Sequence, residues 1–203
     1  MTEAEKLTEE KIFESATEIF LEKGMDGTRM KDIANHAGLN KALLHYYYRT
    51  KDKLFNAVFE KIAVKMFRKF LPVMDENLSL EEKIRFFIRE HITFLQKNPR
   101  LPSFILNEIN RDPSRMRELI RKTDIGKMWE TLEKQHEDEL GQYKITKETI
   151  PQMITSIVAL SVFPFAARDI LEAIFEKTGV DFDDYIEKRK TYAADFVINA
   201  IRK

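Results

Sequence analysis

Tyr46, Tyr47 and Tyr48 stand in a row behind His45, with Lys41 and Arg49 close on either side. Each tyrosine offers a hydroxyl that can hydrogen-bond a phosphate oxygen and a flat ring that can lie on a sugar or a thymine methyl. Cations beside them add the attraction that a polyanion requires. The chemistry in prospect is recognition, not bond making. The chain has no Cys, and its four histidines, His36, His45, His91 and His136, share no metal-ligand spacing. It has no glycine-rich phosphate loop, His-x-x-x-His pair or nucleophile elbow, so neither an enzyme nor a cofactor is expected. His91 falls inside an apolar stripe from Phe87 to Leu95, the setting of a core histidine.

The elements that must hold the tyrosines are two short helices and a tight turn. Thr28 is placed to cap a helix that turns Met30, Ile33, Ala34 and Ala37 inward. Ala34 is small where two helices would cross, Gly38 gives the turn its backbone freedom, and Leu39 plugs the core beneath it. Asn40 then caps a second helix running to about Tyr48. Leu44 and Tyr48, four apart, face the core, which leaves Lys41, Ala42, Leu43, His45, Tyr46 and Tyr47 outward or at the edge. Ahead of the pair, Ile12, Phe13, Ala16, Ile19 and Phe20 form a helical stripe ended by Gly24. Behind it, Thr50 caps a helix from Lys51 towards Leu71, stopped by Pro72.

The formal net charge of the 203 residues is zero, which by itself speaks against nucleic acid. Its distribution does not. Residues 1–26 hold eight acids against three bases, whereas residues 27–69 hold ten bases against three acids. A local basic stripe is enough for phosphate contact. Charged residues at 33% and hydrophobic residues at 43% describe an ordinary globular chain. The first 25 residues lack a signal-peptide layout, and the longest apolar-rich segment, 154–174, is interrupted by Ser156, Ser161, Arg168, Asp169 and Glu172. A soluble, cytoplasmic protein is expected.

The rest of the chain also reads as helices. Ser79-x-x-Glu82 is a capping box opening a stripe of Ile84, Phe87, Ile88, His91, Ile92 and Leu95. Helices follow over 102–110, 113–123 and 125–142. A long one runs from Thr149 to about Lys177, kinked at Pro164, and a last one carries Tyr185 to Ile201. The fold class is all-α: an N-terminal three-helix helix-turn-helix domain over 1–50 and a larger helical bundle over 51–203.

Gly24, Thr28, Asp32-Ile33-Ala34, Ala37-Gly38-Leu39, His45-Tyr46-Tyr47-Tyr48, Lys51 and Leu54 together resemble the N-terminal signature of TetR/AcrR-type transcriptional regulators. The resemblance is dense from Phe13 to Phe59 and architectural beyond. It implies a DNA-binding set of Thr28, Arg29, Asn40, Lys41, Ala42, Leu43, His45, Tyr46, Tyr47 and Lys51. In it Thr28 and Lys51 anchor phosphates, and Lys41, Ala42 and Leu43 face base edges. Two positions depart from the pattern. His45 stands where the family usually has Tyr, which makes its contact pH-sensitive, and Leu43 stands where a small or hydroxyl residue is common.

The resemblance further implies a ligand-responsive regulator, most often a repressor, that binds a palindromic double-stranded DNA operator as a homodimer. A helical interaction or ligand-binding protein without DNA binding is the alternative. The last two helices, each longer than about 30 Å, are the expected dimer interface through Ile154, Ile157, Val158, Ser161, Phe196, Ala200 and Ile201. A small-molecule effector of unnamed identity would meet some of Phe104, Asn107, Glu108, Trp129, Met153, Phe163, Phe165 and Arg168. For Arg168 the simpler account is an ion pair with Glu172, four residues on.

Overall fold

Local chemistry sets the helix boundaries. Thr2 and Glu5 close a capping box at the start of α1 (Glu3–Gly27). Gly24 interrupts that helix at φ 67°, ψ 179°, a conformation open in practice only to glycine, and one more turn follows. Asn40 accepts from the Leu43 amide at 2.7 Å, and Ser79 forms the expected box with Glu82. The computed structural model describes residues 2–70, 73, 77–122, 125–146 and 148–203.

Among the described residues the chain is helical, without a strand. After α1 come α2 (Met30–His36), α3 (Lys41–Tyr47), α4 (Lys51–Phe70), α5 (Leu80–Lys97) and α6 (Leu101–Arg111). They are followed by α7 (Pro113–Lys122), α8 (Ile125–Gln135), α9 (Glu137–Leu140), α10 (Thr149–Ala166), α11 (Arg168–Thr178) and α12 (Phe182–Ile201).

The chain divides into two compact units, Met1–Phe67 with Phe104–Leu119, and Arg68–Ser103 with Ile120–Lys203. The expected break after residue 50 is not where they part. Leu54, Phe55 and Val58 of α4 are fully buried, and the Phe55 ring meets Phe20 edge-on at 4.9 Å and Phe104 at 5.6 Å. Burying one such ring stabilises by about 1.5–3 kcal/mol, so α4 belongs with α1 to α3. In the second unit α5 and α12 run antiparallel. Gln96 donates to Glu187 near one end at 2.9 Å, and Arg202 forks onto Glu81 near the other at 2.7 and 2.8 Å. Between them lie Ile84, Ile88 and Ile92 against Ile186, Ala193, Ala194, Val197 and Ile198, with Ile157, Ser161 and Phe165 of α10 also buried.

The expected kinked helix over 149–177 is broken in two. Pro164 has no N–H to return to Leu160. The stranded Leu160 carbonyl instead accepts from Arg189 Nε at 3.2 Å, and three residues after Pro164 the chain leaves the helical region at Ala167. By length and mean composition α10 could cross a membrane. One such helix is weak evidence for a membrane, and Gln152, Ser156 and Ser161 interrupt its apolar run.

Candidate nucleic-acid interface

α2, the turn at Gly38 and α3 form the expected helix-turn-helix. Ile33, Ala34, Ala37 and Leu44 are buried beneath it. Gly38 takes φ 62°, and the Leu39 amide reaches back to the Ala34 carbonyl at 2.9 Å. Arg29, Lys31, Asn40, Lys41, Ala42, Tyr46 and Arg49 are exposed, with Leu43 and His45 half-buried. Tyr46 is 74% exposed, far more than an unliganded aromatic needs to be.

The three tyrosines separate more sharply than their order suggests. Tyr47 is half-buried, and its hydroxyl donates to the Glu5 carbonyl of α1 at 3.4 Å, so only Tyr46 projects fully. Tyr46 and Tyr47 meet edge-to-face at 5.4 Å. Tyr48, expected in the core, is half-buried and donates to Glu9 at 3.3 Å. Burial, then the neighbouring Glu9 charge, pushes its hydroxyl pKa up to about 12. His45 Nδ1 lies 3.2 Å from the Arg49 carbonyl. Since a carbonyl only accepts, this contact is a hydrogen bond in the tautomer that carries the proton on Nδ1.

Two expected backbone anchors are engaged internally. Thr28 does not cap α2; that position is Arg29, without a side-chain bond. Thr28 is 1% exposed and its hydroxyl donates to the Gly24 carbonyl at 2.7 Å, because the break at Gly24 strands that acceptor. Lys51 Nζ donates to the carbonyls of Met25 at 2.8 Å and Thr28 at 3.0 Å.

The expected ligand contacts are divided between the two units. Phe104 and Glu108 belong to the N-terminal unit: Phe104 packs on Phe55 and Phe59, and Glu108 is buried against Arg111 at 2.6 Å and Arg115 at 3.5 Å. Arg111 and Arg115 reach on to Asp26 and Asp52, at 3.8 and 3.6 Å. Asn107 and Phe163 are exposed, Met153 is half-buried, and the Trp129 side chain lies outside the described residues. Phe165 and Arg168 share a cavity with Gln96, Pro99, Phe182, Asp183 and Ile186. Arg168 does pair with Glu172, at 2.8 Å. Of the expected dimer residues, Ile154, Val158, Phe196 and Ala200 are exposed, whereas Ile157, Ser161 and Ile201 are buried in their own unit. Ser161 turns inward to donate to the Ile157 carbonyl at 2.8 Å.

Residues 12–58, which contain this motif, match the family described as bacterial regulatory proteins, tetR family. Through that segment the chain is similar to the TetR family. It is 27% identical over 116 residues to the probable HTH-type transcriptional regulator YttP of Bacillus subtilis, over 56% of each chain. Over 80 residues it is 30% identical to IcaR of Staphylococcus epidermidis, the HTH-type negative transcriptional regulator of the biofilm operon icaADBC, covering 39% of this chain and 43% of that one. The matched part thus spans little more than half of these relatives, or less. Both relatives are transcription regulators by name.

The fold match runs the whole length. A TetR transcription regulator from Haloarcula marismortui superposes with TM-score 0.70 at 19% identity, covering 97% of this chain and 100% of that one. A TetR-family regulator from Haemophilus influenzae gives 0.70 at 15%, covering 100% of both. At such identities the likeness establishes architecture alone.

Proposed function

We propose that the chain is a ligand-responsive transcription regulator, most simply a repressor, which binds an inverted-repeat operator as a homodimer. The observation that carries this is the outer face of the helix-turn-helix. Arg29, Lys31, Lys41, Tyr46 and Arg49 are exposed there within the segment that matches the family. Lys41, Ala42 and Leu43 sit at the start of α3, the part of a recognition helix that meets base edges, and cations beside them supply phosphate contact. Leu43 can read only shape and thymine methyls.

One motif reads one half-site, so a dyad needs two chains. A second copy is supported by the second unit's own surface. α10 is strongly apolar yet mostly uncovered within its chain. Ile154 and Val158 on α10, Ile170 and Ile174 on α11, and Tyr192 and Phe196 on α12 are all between 42% and 65% exposed. A soluble monomer rarely leaves that many large apolar side chains of adjoining helices in water. A cytoplasmic setting follows from a role on DNA.

The engaged Thr28 and Lys51 favour the second reading, a helical interaction protein without DNA binding, because they remove two expected phosphate ligands. Fluorescence anisotropy with labelled DNA from upstream of the chain's own gene separates the two. Regulation predicts a sequence-dependent complex with a steep inverse dependence on salt. Binding that is absent, or equal on scrambled DNA, excludes it.

A further inference from the structure

The second unit contains a cavity of about 330 Å³ whose walls carry complementary chemistry. Its floor is apolar: Phe165, Phe182 and Ile186 are 6%, 7% and 1% exposed, with Pro99 beside them. Its polar groups are of opposite sign. The Arg168 guanidinium lies 4.4 Å above the Phe182 ring and uses Nε on Glu172, so neither terminal nitrogen has a hydrogen-bond partner among the described residues. Asp183 lines the same space, is exposed, and makes no hydrogen bond among the described residues. Gln96 spends its amide nitrogen on Glu187 at 2.9 Å, which leaves its carbonyl oxygen as an acceptor.

We infer that this cavity is a binding site for a small zwitterion with an apolar body, the class of hydrophobic α-amino acids. The terminal nitrogens of Arg168 present two parallel N–H donors, the geometry that takes a carboxylate by a fork. Asp183 and the Gln96 carbonyl accept from an ammonium. Phe165, Phe182 and Ile186 remove the side chain from water. A space of about eleven waters, at roughly 30 Å³ each, suits a ligand of this class and is too small for a large drug-like molecule. A purely apolar guest leaves both charges unused, and a simple anion leaves Asp183 opposing it.

The place of the cavity gives binding a consequence. Phe165 and Arg168 stand on either side of Ala167, where α10 breaks from α11, and Phe182 and Asp183 open α12. Those three helices carry the exposed apolar residues assigned to the second copy, so a ligand that draws Arg168 from Glu172 resets the face they present. This consequence rests on the effector-responsive dimer proposed above; binding itself does not.

The test is calorimetric titration of the full chain with L-phenylalanine, beside phenylacetate and 2-phenylethylamine as probes with one charge each. L-phenylalanine is expected to bind at least about tenfold more tightly than either. Asp183→Asn should weaken L-phenylalanine and 2-phenylethylamine about tenfold without weakening phenylacetate, and Arg168→Gln should weaken L-phenylalanine and phenylacetate without weakening 2-phenylethylamine. Asp183 is exposed, so its variant keeps the test valid should Arg168→Gln fail to fold. Absence of saturable binding by L-phenylalanine overturns the site, as does binding that neither substitution changes, or binding of phenylacetate alone. Operator anisotropy in the same titration separates the two readings. Saturable binding that leaves DNA affinity unchanged keeps the site and overturns its regulatory role, whereas DNA binding without any probe binding keeps the regulator and overturns the site.

Discussion

Lys51 Nζ lies 2.8 Å from the Met25 carbonyl and 3.0 Å from that of Thr28, so the first residue of α4 caps the end of α1 with a full charge. Hydrogen bonds to an ionised donor contribute roughly 1.5–3 kcal/mol each when solvent is partly excluded. Lys51→Met is therefore expected to lower stability by about 2 kcal/mol, visible as a lower urea midpoint with unchanged slope. Lys51→Arg should recover part of the loss. Any fall in DNA affinity of Lys51→Met then arrives with a loosened N-terminal unit. An unchanged midpoint together with weakened DNA binding would restore Lys51 to a direct phosphate role.

Tyr46 and Tyr47 should respond in opposite ways. Tyr46 is 74% exposed and its hydroxyl bonds no described residue. Tyr46→Ala is expected to leave stability within about 0.5 kcal/mol, as exposed substitutions usually do. It should weaken operator binding about tenfold, the cost of one lost phosphate or groove contact. Tyr47→Phe removes the bond to the Glu5 carbonyl and should lower the urea midpoint slightly while preserving DNA affinity. Equal DNA affinity for wild type and Tyr46→Ala would remove Tyr46 from the interface.

These contrasts show which parts of the molecule are legible in the chain. Asn40, the Ser79–Glu82 box and Gly38 were readable because cap and partner lie within four residues. Periodicity likewise placed Leu44 and Ile88 in their cores. The resemblance implies a phosphate anchor at Lys51, whereas its acceptors, 23 and 26 residues upstream, come within its reach only once α1 breaks at Gly24. Glu108, expected at a pocket, instead pairs with Arg111 and Arg115, a meeting that residue type alone does not announce. Ile157 and Ser161, expected at a dimer interface, are buried within their own unit. A helix as apolar as α10 has no polar side to mark which stripe faces its own bundle, and only packing decides.

The homodimer expectation has a corresponding substitution. Phe196 is 53% exposed on α12, and Val197 and Ile198 beside it are buried. Phe196→Asp therefore leaves the chain's own core intact and places a charge where a partner's apolar surface would close. Sedimentation velocity should show the wild type as a dimer and Phe196→Asp shifted towards monomer by at least about a hundredfold in dissociation constant, the cost of burying an unpaired charge. Val197→Ala instead should lower stability and leave the subunit ratio largely unchanged. A monomeric wild type, or an undisturbed Phe196→Asp dimer, would move the interface elsewhere.

His91 makes stability depend on pH. Its side chain is buried in α5 beside Phe87, and burial pushes its pKa down from 6.5 to about 4. The native state therefore holds the neutral ring, while the unfolded chain takes up a proton below about pH 6.5. Between those values the unfolded state binds more protons, so stability must rise with pH, fully present above 6.5 and lost as pH falls towards 4. A separation of this size is worth up to about 3 kcal/mol. Glu82 and Glu187, whose pKa values are lowered by hydrogen bonds from Ser79 and from Lys190 with Gln96, lose their contributions below the usual carboxylate range and leave most of this window to His91. Urea midpoints measured from pH 4.5 to 7 should climb steadily for the wild type, and His91→Leu should flatten most of that slope. A slope that survives His91→Leu would mean another group carries the proton.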